Sequence, residues 1–187
     1  MKRNLLTLLA LLLFVGVTCW VVLGRADAPK HREPHPSSEK REAREARRAE
    51  RLASYEKFID SLVLSRNWQF NPQTMQQMPA GSMRIIQNIH YEVSLWNETV
   101  DVCLPYITGY VPPYSLVVLN CTEPMIEDYE AEQTTEGWTV RFTSSLFSAS
   151  TYTFTFEISA KLGGAMLTIA NPWYNSVQYS GTLSQLY

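Results

Sequence analysis

The sequence predicts a mainly β domain, an antiparallel meander of eight or nine strands curled into a half-barrel or sandwich and preceded by one α-helix. Four observations carry this prediction. After Asn67 apolar residues recur with a period of two, turn residues separate the runs at short intervals, and no helical period interrupts them. Before Asn67 the composition is that of a helix, rich in Ala, Glu and Arg.

The chain opens with Lys2 and Arg3, followed by nineteen uncharged residues from Leu5 to Leu23. A charged n-region before an apolar run is the order of a secretory signal. The run is also close to the roughly 20 residues that cross a bilayer as a helix. Residues 1–23 are therefore a signal peptide or a signal anchor, and both fates stay open. Cys19 raises acylation as a third, although Gly16-Val17-Thr18 makes a poor lipobox and Trp20 to Leu23 continues the apolar run. Either way the chain is directed out of the cytoplasm, as a periplasmic or membrane-anchored protein facing the periplasm.

Residues 24–38 carry Pro29, Pro34 and Pro36 among polar and charged neighbours, the composition of a disordered spacer. Residues 39–66 form a charged helix. Ser38 is placed to cap it, Glu39 and Glu42 sit near the positive end of its dipole, and Leu52, Tyr55, Ile59 and Leu62 make an apolar stripe on its second half. That stripe is too short for a coiled coil and is expected to dock on the β domain.

The β domain occupies residues 67–187, with strands expected over 68–74, 84–96, 100–107, 114–121, 126–133, 138–145, 151–159, 165–170 and 176–183. Hairpin connections are expected at Asn97-Glu98, at Thr134 to Gly137 and at Lys161 to Gly164. In Thr151 to Ile158 the alternation is clear: Tyr152, Phe154, Phe156 and Ile158 share one face, and Thr151, Thr153, Thr155 and Glu157 the other. Nine short strands do not lie flat, so the sheet should curl, with the helix over an open end or edge.

Charge is unevenly distributed. From Ile59 to Tyr187 four basic residues, Arg66, Arg84, Arg141 and Lys161, stand against eleven acidic ones, within a net charge of −2 for all 187 residues. Such a domain cannot neutralise a row of phosphates, which excludes nucleic acid as a partner. Cys103 and Cys121 form an even pair that could bridge in an oxidising compartment, or remain two small buried hydrophobes. Neither a Cys-x-x-Cys motif nor a Cys/His metal spacing occurs, and no metal or cofactor is expected.

The most unusual local feature is Leu104-Pro105-Tyr106, followed by Gly109 and Pro112-Pro113-Tyr114. Pro105 removes a ladder donor, which places it on an edge or at a bulge. Tyr106, Tyr110 and Tyr114 could present a stiff aromatic platform to a sugar or peptide, or could cover the end of the core. Catalytic motifs are absent. His90 is the domain's one histidine and lies beside Tyr91, without the setting of a catalytic triad. Glu127, Asp128, Glu130 and Glu132 are dense enough to include a carboxylate pair, the requirement for glycoside hydrolysis, but such a run is also how a sheet edge is kept soluble.

The helix leading into Asn67-Trp68-Gln69-Phe70, the Leu104-Pro105-Tyr106 strand, the strand bearing Tyr152, Phe154 and Phe156, and the closing Tyr179-Ser180-Gly181 resemble a family of exported, often lipoprotein-like β domains from Gram-negative anaerobic bacteria. The resemblance covers about residues 45 to 187. It implies an envelope location and an antiparallel β fold; the family has no assigned activity and lends no catalytic residue. The sequence thus points to a non-enzymatic cell-envelope module, binding or structural, held at the membrane by its N-terminal segment. Its partner would be an envelope protein, a glycan or a small apolar ligand held within the curled sheet. The alternative is an envelope glycan hydrolase using a carboxylate pair.

Overall fold

A sheet made of many short strands can curl on itself only if distant strands share one apolar face, and here they do. The structure, a computed structural model, describes residues 36–186 other than 110, 123, 148, 149 and 162. The segments expected at 1–23 and, up to residue 35, the spacer lie outside the described residues, as does Cys19. Helix α1, Pro36–Ser65, starts earlier than its sequence pattern suggested. Ten strands follow: β1 Asn67–Gln77, β2 Arg84–Ile85, β3 Glu92–Trp96, β4 Thr99–Thr108, β5 Ser115–Cys121, β6 Ile126–Gln133, β7 Gly137–Phe147, β8 Ser150–Ser159, β9 Ala165–Asn171 and β10 Tyr174–Gln185. All pairings are antiparallel.

The single strand expected over 84–96 is two. Asn88 breaks it, its side-chain Oδ1 accepting from the His90 backbone N–H at 3.0 Å and its carbonyl from the Tyr91 N–H at 3.4 Å. This is a local Asx turn, in which a short polar side chain competes with the ladder. β2 survives as a two-residue pairing on β1.

The order across the sheet is β5-β4-β3-β1-β10-β9-β8-β7-β6, with β2 off the path on β1. Two meanders are thus joined where the first strand pairs with the last, and β5 and β6, successive in sequence, are the two edges. At about 4.8 Å per strand, a flat sheet would hold them about 38 Å apart. The link from Cys121 to Ile126 reaches about 17 Å when fully extended. Connectivity alone therefore forces the sheet to curl. The link is pinned beside the start of β4: the Val100 N–H donates to the Pro124 carbonyl at 3.1 Å and the Ile126 N–H to the Glu98 carbonyl at 2.9 Å. The edges do not pair with each other, so the curled sheet stays open.

Side chains on the concave face confirm the curvature. Tyr106 of β4 and Tyr152 of β8 lie five strand spacings apart along the sheet, about 24 Å if it were flat, yet their ring centroids are 6.0 Å apart. Trp68 meets Phe156 edge-on at 4.8 Å, and Phe142 stacks on Phe154 at 5.0 Å. With Phe70, Val93, Leu95, Leu104, Leu167, Ile169 and Val177, these rings form one continuous buried core.

Within the compact unit Ala46–Tyr187, the second half of α1 packs on this core through Tyr55, Ile59, Leu62 and Val63. Leu52, predicted to join that stripe, is exposed, and the stripe instead extends at its other end to the buried Val63. Polar contacts fix the docking. Trp138 Nε1 donates to Asp60 Oδ1 at 2.7 Å, the Tyr129 hydroxyl to the Val63 carbonyl at 3.4 Å, and the Arg66 guanidinium lies 4.0 Å over the Tyr129 ring. Arg66 itself adopts a left-handed conformation, φ 50°, ending the helix and turning the chain into β1.

Candidate functional site

Because strands alternate inward and outward, the concave face supplies the core and the convex face the exposed surface. A cross-strand row runs over that convex face: Thr139 opposes Glu157, Glu157 opposes Met166, and Met166 opposes Ser180. Ser180 continues to Thr74, hydroxyl to hydroxyl at 2.6 Å. This row floors a groove of about 530 Å³, which Gln73, Thr134 and Glu136 also line. Its polar groups are hydroxyls, an amide and two carboxylates, with no cation among the lining residues. Such a surface suits a neutral polyhydroxylated or cationic ligand and repels an anion.

Among the described residues, large aromatic side chains occupy the interior. Trp68, Phe70, Tyr106, Phe142, Phe154, Phe156 and Tyr179 are all fully buried among one another and their aliphatic neighbours. Burial pushes the Tyr179 phenol well above its ordinary value, with Tyr106 acting in the same direction. Burial also raises Tyr129, against which the Arg66 guanidinium acts to lower it. These phenols are neutral donors that satisfy backbone carbonyls. Tyr179 donates to the Pro105 carbonyl at 2.7 Å and Tyr106 to the Asn175 carbonyl at 3.4 Å.

Those two bonds decide how the Leu104-Pro105-Tyr106 motif is used. β4 lies inside the sheet order, but its last partner on β3 is Cys103, opposite Glu92. Pro105 stands beyond that point, paired only with Val118 of β5. Its missing N–H therefore leaves no neighbour unpaired, and the Tyr179 hydroxyl occupies the carbonyl that a longer β3 would have taken. Tyr106 is a core residue and cannot serve as a surface platform. Tyr110 lies outside the described residues. Tyr114 is half-exposed where the loop enters β5, and the Gly109 carbonyl accepts from Gln77 Nε2 at 3.2 Å.

Both Cys103 and Cys121 are free thiols. Register gives the reason. Cys121 is opposite Val102, on the concave face, whereas Cys103 is opposite Asn120, on the convex face. The two sulfurs point away from each other across the sheet, and Cys121 Sγ instead contacts the Leu146 carbonyl at 2.9 Å. A bridge would require shifting the β4 and β5 ladder by one residue.

Glu127, Asp128 and Glu130 lie exposed along edge strand β6, where Asp128 is left-handed, φ 53°, within a register shift between Glu127 and Glu130. They stand outside the groove lining. His90 is exposed in the Asn88 turn. Among the described residues no group of three His, Cys, Asp or Glu side chains could hold a metal ion, and no helix is long and apolar enough to cross a membrane. Sequence reasoning placed Thr155 and Glu157 correctly on a wet face, but the groove depends on which residues oppose them, and register is not written in any one strand.

Known proteins add a family and a fold. Residues 50–183 match the family described as Domain of unknown function (DUF4251). Among solved structures the chain is similar to the crystal structure of a DUF4251 family protein from Bacteroides eggerthii DSM 20697. The two share 14% sequence identity with a TM-score of 0.56, over 71% of this chain and 89% of that one. No curated protein matches.

Proposed function

The chain belongs to the DUF4251 family, and from that premise we propose that it is a non-enzymatic module of the cell envelope whose convex β face binds an envelope glycan or protein. The packed interior carries this reading: an aromatic core fills the curled sheet, so recognition falls to the outside. This argues against a small apolar ligand held within the sheet. The groove of about 530 Å³ is of the size that small ligands and chain segments occupy. Its hydroxyls and carboxylates match sugar hydroxyls or amines. Export rests on Lys2, Arg3 and the run Leu5 to Leu23, which would hold the domain at the membrane or deliver it beyond. The sequence candidates for the hydrolase alternative, Glu127, Asp128 and Glu130, lend it no support, since they stand along an exposed edge away from the groove.

The test uses the full chain with its native N-terminus. Cell fractionation should place it with the envelope, and immobilised chain should retain isolated envelope glycan or an envelope protein. Glu157→Ala and Thr139→Ala should weaken that retention while leaving the fold intact. Recovery in the cytosolic fraction, or retention indifferent to both substitutions, would overturn the proposal.

A further inference from the structure

An open sheet has two free edges, and a free edge offers unpaired N–H and C=O groups to any strand that can lie beside it. This protein treats its edges differently. β6 carries Glu127, Asp128, Glu130 and Glu132, and the bulge at Asp128 bends its ladder. Charge and irregularity of this kind block strand addition. β5 has neither. Its seven residues pair with β4 without a register shift, and no charged residue occurs from Val102 to Thr122. Leu116 is 58% exposed, Val117 38% and Val118 49%. The strand is thus straight, uncharged, apolar on both faces and open along one side.

We propose that β5 is a self-association site, at which a second copy of this chain adds its own β5 antiparallel about a two-fold axis through Val117. The choice of a second copy follows from charge and symmetry. A β5 edge meeting another β5 brings no charge into the new ladder, whereas β6 meeting β6 would set four carboxylates against four. β5 meeting β6 would place those carboxylates against Leu116 to Val118, and as a head-to-tail contact it would not close. In an antiparallel pair related by a two-fold, the faces are preserved and one residue must oppose itself. With Val117 on the axis, Leu116 of each copy opposes Val118 of the other, so the exposed apolar residues of the convex face cover one another. Ser115 then opposes Leu119 on the concave face. Shifting the axis to Val118 would instead place Leu116 against Asn120. The contact is one strand wide, smaller than a standard interface, so the dimer is expected to be reversible.

This inference does not depend on where the protein resides or on what the groove binds. Sedimentation of the full chain in detergent over a range of concentrations should show a reversible monomer and dimer. Val117→Lys and Val117→Glu, each alone, set like charges opposite one another across the axis and should weaken the dimer by about tenfold or more. Mixing the two variants should restore it as a heterodimer, which a folding defect or association through the N-terminal apolar segment would not do. Leu116→Lys, at a more exposed position, sets an unpaired ammonium against Val118 of the other copy and should also weaken the dimer. When mixed with Val118→Glu it should recover, because that register opposes those positions. A wild-type chain that remains monomeric would overturn the proposal. So would charged variants that dimerise like wild type, or folded variants that fail to recombine.

Discussion

Replacing Tyr179 by Phe removes one oxygen from the centre of the domain and changes almost nothing else. The hydroxyl is fully buried and donates to the Pro105 carbonyl at 2.7 Å, on the stretch of β4 that β3 does not reach. Phe fills the same volume, so no cavity opens. The cost is a buried carbonyl left without a donor, about 1–3 kcal/mol, which for a domain of this size is a fall in Tm of roughly 3–12 °C. Urea denaturation near pH 7, with m unchanged, measures it. Alkaline pH supplies a second arm. Burial raises the folded phenol above its ordinary value of 10.0, so the folded state holds the proton that the unfolded chain releases. The stability contributed is complete below about pH 10 and is lost as pH rises beyond it, approaching about 1.4 kcal/mol per unit while the folded phenol stays neutral. The Phe variant has no such phenol, so its deficit against wild type should narrow between pH 10 and 11. A deficit under about 0.5 kcal/mol near pH 7, or one that widens above pH 10, would refute the role given to this hydroxyl.

Three further outcomes are expected. Asp60→Ala leaves the buried Trp138 indole without its acceptor at 2.7 Å; a loss of about 1–2 kcal/mol should appear in thermal melts, with faster amide exchange over residues 55–65. At Gly181 a Cβ would collide with the Asn71 carbonyl across the β1 and β10 ladder. Gly181→Ala should therefore cost more than about 3 kcal/mol by forcing apart the two strands that join the meanders, seen as loss of the cooperative urea transition. Finally, Cys103 and Cys121 should both react with an alkylating agent after unfolding without reductant, since they lie on opposite faces. A mass two hydrogen atoms lower with neither labelled would contradict the register.

The sequence by itself determined the class of the fold and most of its elements. Periodicity of two is a local property, so Tyr152, Phe154, Phe156 and Ile158 declare their shared face wherever their strand sits, and the structure buries all four. The helix is equally local, through its Ala, Glu and Arg composition and the run of apolar residues ending at Leu62. The tertiary structure alone decided the pairing. Nothing within residues 67–77 announces that they pair with residues 174–185 at the far end of the chain, and so nothing announced that β5 and β6 become edges rather than a hairpin. The same cause explains the fate of the candidate site. Tyr106 and Tyr114 look alike in a Pro-rich loop, yet one is on the concave face of β4 and the other precedes an edge strand. Cys103 and Cys121 are close in sequence and on adjacent strands, yet a single residue of register turns them apart. The groove row of Thr139, Glu157, Met166 and Ser180 likewise gathers one residue from each of four strands. Side-chain alternation is encoded residue by residue; register and strand order are settled only when the whole apolar face closes on itself, because each pairing is stabilised by the burial that the others make possible.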